Sequence, residues 1–117
     1  MTSEARSRPE PPGVVDPLLA AARLPRPFEP ETLATLNGQA IRVIVTEGAF
    51  APHRHDQSDE LFYVLEGEIE LEIEGERQHL GRGQMMVVPR GLAHRTITAG
   101  RARLLLIQAI DFDTRSA

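Results

Sequence analysis

Ile69-Glu70-Leu71-Glu72-Ile73-Glu74 alternates apolar and acidic residues without a break. Period two places every apolar side chain on one face of an extended strand and every carboxylate on the other. The segment therefore reads as a half-buried β-strand, and its neighbours extend the pattern. Upstream, Gly67 marks a turn, and Leu61–Leu65 is apolar at consecutive positions, a strand expected to be covered on both faces. Ile41–Glu47 reads as another strand. Downstream, Gly75-Glu76 and Gly81-Arg82-Gly83 read as turns, and Gln84–Val88 as an apolar strand ended by Pro89-Arg90-Gly91. His94–Thr98 alternates again, and Ala102–Ile110 reads as a long strand buried on both sides. Short strands separated by turn residues at this spacing predict an all-β sandwich or barrel. No internal repeat is present, so one site per chain is expected.

The N-terminal segment differs. Seven of the nine prolines fall in residues 1–30, which excludes a regular strand or long helix there. Met1 to about Gly13 reads as a disordered tail. Asp16-Pro17-Leu18-Leu19-Ala20-Ala21-Ala22-Arg23 reads as one short helix, capped by Asp16, with Pro17 in its first turn and Pro25 as its stop. Leu18, Leu19 and Ala22 are expected to lie on the outside of the main domain or on a partner subunit. The expected division is a tail with a short helix over residues 1–36 and a single β-domain over 37–113.

Composition removes several chemistries. A chain of 117 residues allows one domain burying about two-thirds of its unfolded surface. There is no cysteine, so disulfides, thiolate metal sites and cysteine nucleophiles are excluded. There is no lysine, which removes Schiff-base chemistry. No apolar run approaches the ~20 residues of a membrane helix, and no signal-peptide core is present, so a cytoplasmic location and no membrane partner are expected. The net charge of −4 with one tyrosine and no tryptophan argues against nucleic acid. Residues 47–76 hold ten acids against one arginine, and residues 77–110 hold six arginines and no acid. Pairing between neighbouring strands or between subunits accounts for this division; arginines attracting an anionic ligand are the alternative.

The chemistry concentrates in His53-Arg54-His55-Asp56-Gln57-Ser58-Asp59-Glu60. Side chains at i and i+2 of a strand share a face, so His53 and His55 can reach one point. Glu60 lies at an odd offset, and the intervening Asp, Gln, Ser and Asp favour a turn. A strand ending at His55 and a new one opening at Glu60 would gather an imidazole pair and a carboxylate around one metal ion.

His53-x-His55-x4-Glu60-x6-Gly67, with Gly48 upstream, and Gly83-x5-Pro89-x-Gly91-x2-His94 resemble the two signature motifs of the cupin superfamily. The resemblance runs from about Gly48 to Thr98. It is nearest to the small single-domain cupins grouped with the metal-binding domain of mannose-6-phosphate isomerase, as the runs Asp59–Gly67 and Val87–His94 indicate. There are two departures: four residues, not the usual five, separate Gly48 from His53, and Thr98 replaces a structural asparagine. The resemblance implies a conical jelly-roll barrel (a double-stranded β-helix) holding one divalent transition metal, with His53, His55, Glu60 and His94 as ligands. The turn Pro89-Arg90-Gly91 is placed to aim His94 at the same point. Three imidazoles and a carboxylate suit manganese, iron, cobalt, nickel, copper or zinc rather than calcium or magnesium. A six-coordinate ion would keep two adjacent positions for water, dioxygen or a chelating substrate. Affinity is expected to fall as pH drops through about 6, because imidazoles must be neutral to bind.

Parity puts Phe62 and Val64 on the face of Glu60, and Thr96 and Thr98 on the face of His94. These four, with Met85 or Met86, are the expected pocket lining. Tyr63 falls on the opposite face and is not offered as an acid. Leu61, Tyr63 and Leu65 turn outward, an apolar strip that predicts a homodimer through it or through residues 14–36. His79 and the glutamates at 66 to 76 read as surface, and Gly81-x-Gly83 as a turn. The functional expectation is a metal-dependent enzyme acting on a small oxygen-bearing metabolite, of dioxygenase, isomerase or lyase type. The alternatives are a non-catalytic metal-anchored binding or sensing module, and a structural barrel with an adventitious metal.

Overall fold

A computed structural model describes residues 13–111 and 113–116; the expected N-terminal tail lies almost wholly outside them. The chain runs α1 (Pro17–Ala22), β1 (Glu31–Leu36), β2 (Gln39–Ala49), β3 (His53–Arg54), β4 (Glu60–Glu66), β5 (Glu68–Ile73), β6 (Glu76–Gly81), β7 (Met85–Val88), β8 (His94–Ala109) and β9 (Arg115–Ser116). Every strand pairing is antiparallel.

β8 organises the barrel. Its C-terminal half pairs with β4 (Glu60↔Gln108 to Glu66↔Arg103), and β4 pairs onward with β7. Its N-terminal half pairs with β5 (Glu70↔Ile97 to Ile73↔His94), and β5 pairs with β6. β2 runs along the other side of both halves. Where Glu47 faces Arg101 but Gly48 faces Thr98, Ala99 and Gly100 are extra on β8. Such a bulge bends the strand and raises its twist, and one sheet thereby folds back on itself. Two strands expected separately, His94–Thr98 and Ala102–Ile110, are thus one. β6 and β7 each pair with a single neighbour, so the jelly roll is not closed.

The interior holds Val64, Ile69, Leu71, Val88 and Leu104, all at 2% exposure or less, with Phe62, Leu80, Ala102 and Leu106 packed around them. Full burial of such a side chain is worth about 1.5–3 kcal/mol. Parity in β4 and β5 is as expected. The expectation that β4 and the second half of β8 are buried on both faces needs correction: their outward residues, including Leu61, Tyr63, Leu105 and Ile107, are only half-buried.

Asp16 accepts a hydrogen bond from the Leu19 N–H (3.0 Å) and caps α1, with Pro17 at its start. The helix lies on the outer face against β2, β4 and β8. It seats through Ala21, which is fully buried, while Leu18 and Leu19 are exposed. Three strands lie where none was read: β1, β6 and the short C-terminal β9. β1 pairs with β2 through an Asn37-Gly38 turn, so the sheet begins upstream of residue 37. β6 is an edge strand whose Glu76-Arg77-Gln78-His79 are all exposed, so it carries no period-two signal. The turn before it is Glu74-Gly75, both at positive φ, one residue earlier than the expected Gly75-Glu76. Among the described residues, no helix is long and apolar enough to cross a membrane.

Candidate metal centre

The two halves of the site are fastened together by their turns. The Gly91 N–H donates to the His55 carbonyl (2.8 Å). Asp59 Oδ1 accepts from both the backbone N–H and the Nε of Arg90 (3.0 and 3.1 Å). The polar turn before Glu60 and the turn before His94 therefore brace each other. Register completes the convergence, with His53 opposite His94 and Glu60 opposite Val88.

His53, His55, Glu60 and His94 each offer one donor atom, and these atoms all lie within 4.8 Å of one another. His55, Glu60 and His94 are buried at 5% exposure or less, and His53 is half-buried. Glu60 Oε1 stands 3.1 Å from His55 Nε2 and 3.2 Å from His94 Nε2. Donors on bonds of ~2.0–2.2 Å to a common ion lie roughly 3.0–3.5 Å apart, so these separations fit a shared cation.

Each imidazole is set by its other nitrogen. His53 Nδ1 faces the Ala51 carbonyl (3.0 Å), His55 Nδ1 the Asp113 carbonyl (2.6 Å) and His94 Nδ1 the Leu92 carbonyl (2.9 Å). A carbonyl only accepts, so each Nδ1 carries the proton and each Nε2 presents its lone pair to the site. Backbone carbonyls commonly orient metal-binding histidines in this way. Two of these lone pairs face a carboxylate, which repels them unless a cation, a proton or a metal ion, lies between.

Titration follows the same contacts. Burial lowers the pKa of His53. At His55 burial also opposes charge, but the hydrogen bonds to Glu60 and the Asp113 carbonyl outweigh it, and the pKa is raised. At Glu60 burial is outweighed by hydrogen bonds from His55 and His94, which hold the carboxyl below its ordinary value.

The C-terminal segment straps the site. β9 pairs with β3, His53↔Ser116 and Arg54↔Arg115. Asp113 Oδ1 accepts from the N–H groups of Asp56 and Gln57 (3.1 and 3.2 Å), and its own carbonyl holds His55.

A cavity of about 90 Å³ opens beside the cluster. Phe62 and Thr96 line it. Val64 and Thr98 do not: Val64 is in the core, and the Thr98 hydroxyl bonds that of Thr46 (2.9 Å) in the interior. Met85 is a correction. It is 61% exposed, because it pairs with outward-facing Tyr63, whereas Met86 pairs with inward-facing Phe62. Directly opposed residues share a face. Sequence reading missed Phe28, Ile44, Thr46, Phe50, Leu104 and Leu106 in the lining. Ile44 and Thr46 were accessible by parity from β2; Phe28 was not, since it arrives on an irregular arm. His79 is at the surface, bonded to Glu68 Oε1 (2.9 Å). The divided charges meet as neighbouring strands, in Arg95–Glu72, Arg77–Glu72, Arg101–Glu47 and Arg103–Glu66.

Residues 40–108 match the cupin domain family. YdbB of Bacillus subtilis (strain 168), an uncharacterized protein, is 35% identical over 66 residues, 56% of this chain and 58% of that protein's length. A cupin-2 domain containing protein from Shewanella frigidimarina superposes with a TM-score of 0.78 at 24% identity, covering 82% of this chain and 94% of that one. A putative sugar phosphate isomerase from Acidithiobacillus ferrooxidans superposes with a TM-score of 0.61 at 22% identity, covering 72% of this chain and 62% of that one. Likeness at this identity establishes the shared fold alone. The family match spans more than half of the chain, and it coincides with the jelly roll and the His/Glu cluster: the protein belongs to the cupin family.

Proposed function

We propose that His53, His55, Glu60 and His94 hold one divalent transition metal, and that the protein is a metal-dependent enzyme acting on a small oxygen-bearing metabolite, of dioxygenase, isomerase or lyase type. One observation carries the reading: three Nε2 lone pairs and a carboxylate oxygen converge in a buried site, each ring turned there by a backbone carbonyl. The donor set is nitrogen and oxygen without thiolate, which suits manganese through zinc. Bound there, the metal supplies Lewis acidity or, if redox-active, a route to dioxygen chemistry. The chain's own groups orient the donors, shield them from water with Phe62, Leu104 and Leu106, and leave an open side at the cavity.

A second reading, a non-catalytic metal-anchored binding or sensing module, is favoured by one feature. Among the described residues, the titratable groups lining the cavity are His53, Glu60 and His94, all members of the cluster. None is left over as a dedicated general acid or base.

Elemental analysis of protein purified from its natural host should find about one transition metal per chain. Turnover of sugars, keto acids or catechols under air but not nitrogen identifies an oxygenase; turnover under both identifies an isomerase or lyase. Stoichiometric metal without turnover supports the sensing module. Metal-free protein that also fails to take up added manganese, iron or zinc refutes both.

A further inference from the structure

Beyond the cluster, the cavity's wall is mostly apolar, built from Ile44, Phe62, Leu104 and Leu106, with Thr46 and Thr96 as its uncharged polar members. No arginine lines it among the described residues, and the chain has no lysine. The arginines on the flanking strand β8, Arg95, Arg101 and Arg103, bind acids on the outer surface. The mouth is aromatic. Phe28 and Phe50 stack with ring centroids 4.8 Å apart, and Phe50 meets the His53 ring edge-on at 5.3 Å.

Phe28 occupies this place in a left-handed backbone conformation, φ +64°, held by its N–H donating to the Val45 carbonyl (2.8 Å). That conformation is unfavourable for a residue other than glycine. Uncommon backbone of this kind persists where the surroundings impose it, and it concentrates at ligand sites.

We propose that this cavity selects a small, planar, unsaturated chelator bearing at most one negative charge, and that Phe28 and Phe50 determine that specificity. The inference rests on the metal reading above. A divalent ion and the Glu60 carboxylate leave a single positive charge in an apolar enclosure, which a monoanionic oxygen chelator neutralises. A phosphate monoester carries about −1.5 to −2 at pH 7. It would leave excess negative charge in a low-dielectric cavity that offers no guanidinium fork. Phosphorylated sugars are therefore selected against. The cavity is small, about 90 Å³, and Phe28 and Phe50 line it beside the cluster, so the ligand's plane packs against the two rings.

The test uses the full chain loaded with cobalt(II), whose visible spectrum reports ligand entry without turnover. Catechol, acetohydroxamate (a chelator with no ring) and glucose 6-phosphate are titrated in turn. Catechol should bind at least about tenfold more tightly than glucose 6-phosphate. Phe28→Ala and Phe50→Ala should each weaken catechol roughly three- to tenfold and change acetohydroxamate and cobalt affinity less than about twofold. Phe50→Leu keeps apolar bulk without a ring and should still lose most of the catechol preference. Equal weakening of catechol and acetohydroxamate, or glucose 6-phosphate binding as tightly as catechol, overturns this inference and leaves the metal reading standing. Failure of the wild-type chain to bind cobalt overturns both.

Discussion

At the scale of the residue, the site is governed by Glu60. Its carboxylate is buried and faces two imidazole nitrogens, so it is tolerated only with a cation beside it. On the proposed reading, Glu60→Gln removes a charged donor and should weaken metal affinity at least about 100-fold, beyond the 10–100-fold typical of the groups that merely orient ligands. Competition titration with a chromophoric chelator measures it; a change below threefold would separate Glu60 from the metal. The same carboxylate sets a pH signature in the metal-free protein. The His55 pKa is raised above 6.5, so its contribution is complete below that value and disappears as pH rises through the higher, folded value. The Glu60 pKa is lowered below 4.5, so its contribution is present above that value and is lost as pH falls through the lower one. The pair therefore stabilises the metal-free fold most between about pH 4.5 and 6.5. The excess stability of wild type over Glu60→Gln, about 1.5–3 kcal/mol at pH 5.5, should shrink by pH 8.5. Metal affinity should rise over that interval, because the ion displaces the His55 proton. Denaturant melts at the two pH values check the first statement, and metal titrations the second.

At the scale of the element, two features are separable from the core. The C-terminal strap orients His55 through the Asp113 carbonyl, and the Asp113 side chain ties the 56–57 turn. Asp113→Ala should lower metal affinity by about tenfold while changing the stability of the metal-free fold by less than about 1 kcal/mol, since the strap buries little. An equal loss of both would make the strap a general support. The turn between β4 and β5 behaves differently. Gly67 has φ +84°, and a Cβ there would meet the Arg101 carbonyl oxygen at 2.7 Å. Backbone cannot yield as a flexible side chain can, so Gly67→Ala should destabilise the fold by roughly 2–4 kcal/mol, read as a shift in the urea midpoint. Neutral behaviour would show that β8 can shift at its bulge.

At the scale of the whole molecule, the outer sheet face is unevenly covered. α1 shields part of β2, β4 and β8, but Met85 and Val87 on β7 are 61% and 49% exposed, beside Tyr63 and Leu61. An apolar strip of this kind on a barrel calls for cover. A homodimer through it is proposed: sedimentation should find a dimer at micromolar concentration, and Val87→Glu should shift it toward monomer. A wild-type monomer at high micromolar concentration would remove the proposal.

Strand parity and the motif residues were legible in the chain because each depends on neighbours a few positions away. Ile69–Glu74 alternates as a half-buried strand does, although Glu74 itself falls in the turn, and the resemblance to the cupin motifs pointed to His53, His55, Glu60 and His94, which the fold brings together. β6 was illegible because its first four residues are solvent-exposed and only Leu80 reaches the core, which leaves no hydrophobic period. β1 was hidden because Glu31–Leu36 is an almost wholly exposed strand of mixed composition. The choice between Met85 and Met86 waited on register, since a one-residue slip reverses which face each takes. What the amino-acid sequence determined by itself was the class of fold and, through its motifs, the residues of the cluster, both written in local pattern. What only the tertiary structure decided was which carbonyl turns each imidazole, that Arg95, Arg101 and Arg103 pair with acids outside the cavity, and that Phe28 lines it. Those facts join segments tens of residues apart, and their energies depend on distance in space rather than separation along the chain.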